Sequence, residues 1–194
     1  MFVPDGPVGV LALQGDYALH EQALARAGRP SRRVRRPAEL TGCGALILPG
    51  GESTTLTRLM DRAGLREPIL AFAAAGAPVL GTCAGLIMLA ARLDEDPNRH
   101  GVRPLGLLDV LVRRNGYGRQ VDSFVDAVEM AADVLRPFYG EAGEDAQGVF
   151  IRAPRILEVG DGVTVVARHG DEPVGVRQGN VVGLTFHPEA RVLE

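Results

Sequence analysis

Cys83 stands in Gly81-Thr-Cys83-Ala-Gly85, between the apolar run Pro78-Val-Leu-Gly81 and the apolar stretch Ala84–Leu93. A buried strand, a sharp turn and a helix in that order form the setting in which G-x-S-x-G presents a nucleophile. The glycines matter because side chains beside the nucleophile would clash in so crowded a turn. The start of the following helix favours thiolate over thiol. A free thiol ionises near pH ~8.5, so attack near neutrality needs such help. On these five residues alone, a small cysteine buried at a packing point remains the plain alternative. Cys43, in Thr41-Gly-Cys-Gly44 ahead of a strand with no helix signal after it, reads as structural.

A sulfur nucleophile needs a base that returns a proton to the leaving amine, and a group that orients the base. His20 falls in the first helix, His100 in a polar stretch beside Pro97 and Arg99, and His169 in Arg-His-Gly-Asp. These three read as exposed residues. His187 differs, since it follows Val181–Phe186 and precedes Pro188 and Glu189. Pro188 favours extension of the residue before it, and residues two apart in an extended chain face one side. Glu189 then bonds one imidazole nitrogen and sets the tautomer, leaving the other for sulfur. His-Pro-Glu alone is an ordinary strand-end turn, but together with the elbow it predicts a Cys83–His187–Glu189 triad.

Attack on an amide creates an oxyanion that needs backbone donors near the sulfur. The N–H of Ala84 is one, at the start of the helix. The second is expected from Pro49-Gly-Gly-Glu-Ser53, where Gly50 and Gly51 can turn their peptides toward a ligand. No Gly-Lys-Ser/Thr follows this glycine pair, so it is not a phosphate loop. Ser53 reads as a helix N-cap.

The elements that must hold these groups alternate through the first half. Val8–Leu13, Ala45–Leu48 and Pro78–Gly81 are short apolar runs, as in strands buried on both faces. Helices are predicted over Asp16–Ala27, with a stripe of Leu19, Ala23, Leu24 and Ala27, and over Thr54–Arg62, Glu67–Ala75 and Ala84–Leu93. Gly28, Gly64 and Gly76 close the first three. The second half reads as strands at Val110–Val112, Val121–Val128, Gly148–Ile151, Val163–Ala167 and Val181–Phe186, with Gly179-Asn180 as a two-residue hairpin turn. Positions 136–148 are Gly-rich and acidic and read as a surface loop. The pattern predicts one α/β domain over residues 1–194: a parallel sheet with helices on both faces and antiparallel strands added later.

Composition narrows the function classes. The chain has 194 residues, 46% of them apolar, and a net charge of −3 from 21 basic and 24 acidic residues. Nothing there favours nucleic acid or an anionic membrane, no window reaches the ~20 apolar residues of a membrane span, and the start lacks signal-peptide regions. With two cysteines and no export signal, a reducing cytoplasm and free thiols are expected. All basic residues are arginine, and the one cluster, Arg32, Arg33, Arg35 and Arg36, reads as a solvated edge beside a strand.

Together the motifs resemble the class I (triad) glutamine amidotransferases, which have a flavodoxin-like α/β/α fold. Within them the sequence is most similar to the glutaminase subunits of pyridoxal 5′-phosphate synthase. The resemblance runs through Leu13-Gln-Gly15, Leu48-Pro-Gly-Gly-Glu-Ser-Thr-Thr55, Gly81-Thr-Cys-Ala-Gly-Leu86, Arg114-Asn-Gly-Tyr-Gly-Arg-Gln120, Phe150-Ile-Arg-Ala-Pro154 and Phe186-His-Pro-Glu189. The elbow and His-Pro-Glu belong to the whole superfamily, and the other runs are more particular to the subfamily. The resemblance implies that Cys83 attacks the carboxamide of L-glutamine, His187 protonates the departing ammonia and Glu189 orients His187. It implies a glutamine site lined by Gly51, Glu52, Ser53, Arg114, Ile151 and Arg152, with Gly51 and Ala84 as backbone oxyanion donors. Without it, Arg114 and Arg152 read as solvated strand-end residues, although a guanidinium suits the α-carboxylate of an amino acid. It implies no metal and no bound cofactor, and a hetero-oligomer in which a separate synthase subunit receives the ammonia and makes pyridoxal phosphate. Activity alone is expected to be weak and to rise on docking, by reorientation of a peptide near Gly51.

Two departures accompany the resemblance. Family members usually continue past His-Pro-Glu into a closing helix, whereas this sequence stops at Glu194, so a shortened end is expected, with consequences for stability and not for the triad. The acidic 136–148 stretch is longer than usual. Three other readings remain open on sequence alone: the glutaminase of another amidotransferase, such as that of histidine biosynthesis; a stand-alone cysteine hydrolase of γ-glutamyl or other amides; and an inactive regulatory subunit. The intact triad argues against the last.

Overall fold

Strands that are apolar at every position must be covered on both faces, and the molecule is layered accordingly. A computed structural model describes residues 5–94, 101–116, 123–140 and 147–190. Strands β1 (Val8–Leu11), β2 (Ser31–Val34), β3 (Ala45–Leu48) and β4 (Val79–Thr82) alternate with helices α1 (Tyr17–Arg26), α2 (Pro37–Leu40), α3 (Ser53–Arg62) and α4 (Arg66–Ala74). Then come α5 (Ala84–Leu89), β5 (Ala90–Leu93), β6 (Leu108–Arg113), β7 (Phe124–Ala127), β8 (Glu129–Met130), α6 (Arg136–Tyr139), β9 (Gln147–Phe150), β10 (Arg155–Val159), β11 (Thr164–His169), β12 (Glu172–Gln178) and β13 (Val181–Leu184).

The main sheet runs β2-β1-β3-β4-β13-β12-β11-β8. Its first five strands are parallel, and the last three pairings are antiparallel. The β11–β12 and β12–β13 pairs are hairpins that need only short turns, whereas a parallel step requires a longer crossover. Gly179-Asn180 joins β12 to β13 with Gln178 opposite Val181, as the two-residue turn predicts, and Gly179 has φ +58°.

Alternation along the strands divides the core. Leu46 and Leu48 pack with Leu56 and Met60 of α3, Ile69 of α4 and Leu86 of α5 on one face. Ala45 and Ile47 pack with Leu24 of α1 and Phe138 and Tyr139 of α6 on the other. Removing a side chain such as Leu48 down to alanine therefore costs about 2–5 kcal/mol. The order β2-β1-β3-β4 reverses direction between β1 and β3, the position at which open α/β sheets form a crevice at the carboxyl ends of their strands. Cys83 follows β4, the Gly50-Gly51 pair follows β3, and His187 lies just past β13.

Several expectations need correction. The helix at Ala84 ends at Leu89, and Ala90–Leu93 becomes β5, paired with β6. The 136–148 stretch is not wholly a surface loop: Arg136–Tyr139 is a helical turn with Pro137, Phe138 and Tyr139 buried, and Gln147 begins β9. Residues 141–146 lie outside the described residues. In α1 the stripe is rotated, so that Leu19 is exposed and His20 is fully buried beside Leu24. Strand β2, which carries Arg32 and Arg33, shows no alternation because it is the exposed edge of the sheet. Its arginines are tied locally, Arg33 to Glu21 at 2.7 and 2.9 Å and Arg32 to the Thr41 carbonyl at 2.7 Å. Among the described residues, no helix is long and apolar enough to cross a membrane.

Candidate active site

The turn at Cys83 has φ +49° and ψ −105°, a conformation a non-glycine residue holds only when its surroundings impose it. Those surroundings are tight. A Cβ on Gly85 would lie 2.0 Å from the Leu48 carbonyl oxygen, and one on Gly81 would lie 2.5 Å from the Gly85 carbonyl carbon. Both glycines of the motif are therefore required by backbone-to-backbone packing. The Cys83 N–H donates to the Leu184 carbonyl at 2.9 Å, which fastens the elbow to β13. Since α5 has only six residues, its dipole is a smaller aid to sulfur than a longer helix would be.

His187 supplies more. Its N–H donates to the Val149 carbonyl at 2.9 Å, and its Nδ1 lies 2.8 Å from Glu189 Oε1, as the two-residue spacing predicts. Glu189 only accepts, so Nδ1 carries the hydrogen and the remaining ring nitrogen is left toward Cys83, whose thiol donates a long 3.9 Å bond to the Ile151 carbonyl. Burial opposes a charge on His187, but the bonds to Cys83 and Glu189 outweigh it and raise its pKa to about 10. Burial likewise opposes the Glu189 carboxylate, yet the two histidines beside it, His20 and His187, hold its pKa down to about 2. Of the three residues expected from sequence, His187 and Glu189 are thus joined directly, with Cys83 on the turn beside them.

In front of the sulfur is a cavity of about 110 Å3 lined by Gly51, Glu52, Ser53, Cys83, Ala84, Ile87, Arg114, Asn115, Ile151 and Arg152. Every residue expected at a glutamine site is there, with Ile87 and Asn115 in addition. Arg114 is delivered by the end of β6 and Arg152 by the end of β9, and the Gly116 N–H to Ala153 carbonyl bond of 3.1 Å joins the two segments. Four described non-glycine residues have positive φ, and three of them, Cys83, Asn115 and Arg152, line this cavity. Clustered backbone strain marks a functional site more often than a structural one.

The Gly50-Gly51 turn is braced from β1. The Asp16 N–H donates to the Gly50 carbonyl at 3.1 Å, and Gln14 Nε2 donates to the Glu52 carbonyl at 3.4 Å. A Cβ on Gly15 would meet the Gly50 oxygen at 2.0 Å, and one on Gly50 would meet His187 Cε1 at 2.3 Å. This explains Leu13-Gln-Gly15, for which the sequence had offered no physical role. The N-cap of α3 is Glu52 and not Ser53: its carboxylate accepts from Thr54 N at 3.0 Å and from Thr55 N and Oγ1, both at 2.7 Å. Burial works against that carboxylate, but these donors outweigh it and lower its pKa to about 2. Arg114 Nη2 lies 3.8 Å from the same group.

Of the other histidines, His20 is the one misread. It is fully buried, with Nε2 3.2 Å from Glu189 Oε1. The clue was its place four residues before Leu24, on the same helical face. His169 is half-buried, pairs with Asp126 at 2.9 Å and does not line the cavity. His100 and the Tyr117–Gln120 part of the Arg114 motif lie outside the described residues. Cys43 is buried, its thiol donating to the Glu39 carbonyl at 3.4 Å, and burial pushes its pKa up.

Comparison with known proteins gives the family. The chain is 47% identical over 182 residues to the pyridoxal 5′-phosphate synthase subunit PdxT of Geobacillus kaustophilus, covering 94% of this chain and 86% of that one. It is 48% identical over 186 residues to the Streptomyces coelicolor protein of the same name, covering 95% and 87%. A solved structure described as a glutamine amidotransferase superposes with a TM-score of 0.82 at 44% identity, covering 95% of this chain and 91% of the other. PurLQS from Thermotoga maritima, at 21% identity and a TM-score of 0.68 over 97% and 91% of the two chains, shares the fold. The model of the SNO glutamine amidotransferase family matches residues 10–192, and with these similarities the chain belongs to that family.

Proposed function

We propose that this chain hydrolyses L-glutamine to L-glutamate and ammonia, and that it supplies the ammonia to a pyridoxal 5′-phosphate synthase subunit in the cytoplasm. The observation that carries the chemistry is a strained, glycine-flanked Cys83 opening on an arginine-lined cavity, backed by a buried His187 that Glu189 holds at 2.8 Å. The destination of the ammonia rests on the relatives named above.

In the first half-reaction His187, whose pKa of about 10 keeps it protonated at neutral pH, already holds the proton that the Cys83 thiol gives up, and the sulfur bonds to the carboxamide carbon. The N–H groups of Ala84 and Gly51 receive the oxyanion. His187 gives its proton to the amide nitrogen, the C–N bond breaks and ammonia leaves a thioester on Cys83. In the second, His187 takes a proton from water, the hydroxide attacks the thioester, and glutamate leaves as the thiol is restored. Glu189 keeps the Nδ1 hydrogen in place throughout, so the other ring nitrogen always faces sulfur or water. Arg114 and Arg152 hold the substrate α-carboxylate, and Gly51, Glu52, Ser53 and Ile151 complete the site. The steps draw on no group beyond the chain's own residues and water.

A glutaminase that ran without its acceptor would waste glutamine. Docking of the synthase in a hetero-oligomer therefore raises turnover by turning the Gly51 peptide into its donor position. The test is glutamate release with the synthase subunit present, comparing wild type with Cys83→Ala. The variant is expected to lose all measurable turnover, and unchanged release would overturn the reading. Equal wild-type turnover with and without the synthase would overturn the docking step alone.

A further inference from the structure

Glu189 Oε1 is shared. His187 Nδ1 reaches it at 2.8 Å and His20 Nε2 at 3.2 Å, and all three side chains are buried. A triad accounts for the first contact and leaves the second unexplained. His20 comes from α1, an element apart from the elbow and from β13, and it is fully buried. Its Nε2 is also 3.1 Å from Thr82 Oγ1, the residue before Cys83, and its Nδ1 is 2.6 Å from the Tyr139 hydroxyl. The partners set the tautomer. A carboxylate only accepts, so the hydrogen sits on His20 Nε2, between its hydrogen-bond partner Thr82 Oγ1 at 3.1 Å and the Glu189 carboxylate at 3.2 Å. The Tyr139 O–H then donates to the lone pair on Nδ1. Burial and the nearby Glu189 charge push Tyr139 well above its ordinary pKa, so it keeps the proton it donates.

We infer that His20 is a positioning residue of the reaction: held by Tyr139, it anchors the Glu189 oxygen that orients His187, extending the buried array from Tyr139 through His20, Glu189 and His187 to Cys83. The inference rests on the glutaminase reading for its substrate, and on geometry alone for the array. The carboxylate hangs from the chain just past His187 and needs a second donor to keep Oε1 from swinging. That donor comes from a separate element, so the packing of α1 and α6 is transmitted to the sulfur. A role in packing alone predicts only lost stability. A positioning role predicts a displaced pH profile as well. Without the His20 donor, Glu189 takes up a proton at higher pH, and a protonated Glu189 no longer holds the Nδ1 hydrogen. The acid limb therefore moves upward. The titratable groups around this carboxylate are His20, His187 and Tyr139, with Cys83 beyond His187 and Asp16 facing the ring across Gly50.

The experiment compares wild type, His20→Leu, His20→Gln and Tyr139→Phe, each with the synthase subunit bound. Glutamate release is followed from about pH 5 to about pH 9, together with the rate of Cys83 alkylation by iodoacetamide. His20→Leu is expected to lower kcat about 10-fold or more at unchanged KM, and to move the acid limb of both profiles up by about one pH unit. His20→Gln, whose amide nitrogen can donate to Oε1, is expected to recover most of both losses. Tyr139→Phe gives a smaller shift in the same direction. A folded His20→Leu with wild-type limbs overturns the inference, as does His20→Gln behaving no better than His20→Leu. If His20→Leu does not fold, Tyr139→Phe with unmoved limbs overturns it. A wild type that releases no glutamate but still shows a defined alkylation profile would defeat the substrate and leave the array tested.

Discussion

Cys83 stands between two unlike walls. Behind it, His187, Glu189, His20, Thr82 and Tyr139 are buried and bonded to one another, while in front Glu52, Ile151 and Arg152 are exposed and Arg114 reaches in from a strand end. The rear wall is held by short hydrogen bonds in a dry interior, where such bonds are strong and an unpaired group is costly. The front wall carries backbone strain, with positive φ at Asn115 and Arg152, and is tied by the Gly116–Ala153 backbone bond. The difference matches the two tasks. Proton transfer needs groups that do not move, whereas a substrate site has to open, admit and release.

Substitutions on the two walls should therefore fail differently. The largest effect is expected at Glu189→Gln, which keeps the shape of the rear wall and removes its charge. Turnover should fall by about 10²–10⁴-fold, with KM for glutamine little changed, in steady-state glutamate release. The same variant should flatten the pH dependence of thermal stability. His187 is raised from 6.5 to about 10, so its contribution is complete below 6.5 and is lost as pH climbs through about 10. Glu189 is lowered from 4.5 to about 2, so its contribution is present above 4.5 and is lost as pH falls through about 2. A Gln variant retaining both slopes would mean that the rear wall is not electrostatic.

Gly51→Ala should come next, with turnover down about 10²-fold if its peptide supplies an oxyanion donor. Gly51 has φ +150°, and a Cβ would lie 2.2 Å from Gln14 Nε2, so the added methyl twists the peptide. Full activity in that variant would remove Gly51 from the oxyanion role. The mildest effect is expected at Arg114→Lys. A lysine keeps the charge and loses the two-pronged grip, so KM should rise about 10-fold while kcat stays within a few-fold. A fall in kcat at constant KM would place Arg114 with the rear wall and dissolve the comparison.

Much of the rear wall was legible because its spacing is local. His187 and Glu189 lie two apart in extended chain, and Pro188 enforces the extension. The elbow glycines announced a crowded turn, and the turn proved crowded by the Leu48 and Gly85 backbones. The errors share a cause. A polar residue within an amphipathic stripe reads as the stripe's edge, which puts His20 at the surface, whereas its partners lie 62 to 169 positions away in sequence at Thr82, Tyr139 and Glu189. Ser53 looked like a cap by residue type, but the Glu52 carboxylate is longer and reaches two amides and a hydroxyl. The segment after Leu89 is apolar enough for either a helix or a strand, and pairing with β6 decided for a strand.

The sequence by itself singled out Cys83, His187 and Glu189, because turn chemistry, proline and a period of two act over a few residues and require no knowledge of the rest of the fold. It also determined the layered α/β architecture, since strands apolar on both faces admit few arrangements. Only the tertiary structure decided what stands around that triad. The sheet order sets the ends of β3, β4 and β13 side by side, brings Arg114 and Arg152 to one cavity, and carries His20 through the core to Glu189. Those are long-range meetings, set by packing the whole core at once, and no local pattern encodes them.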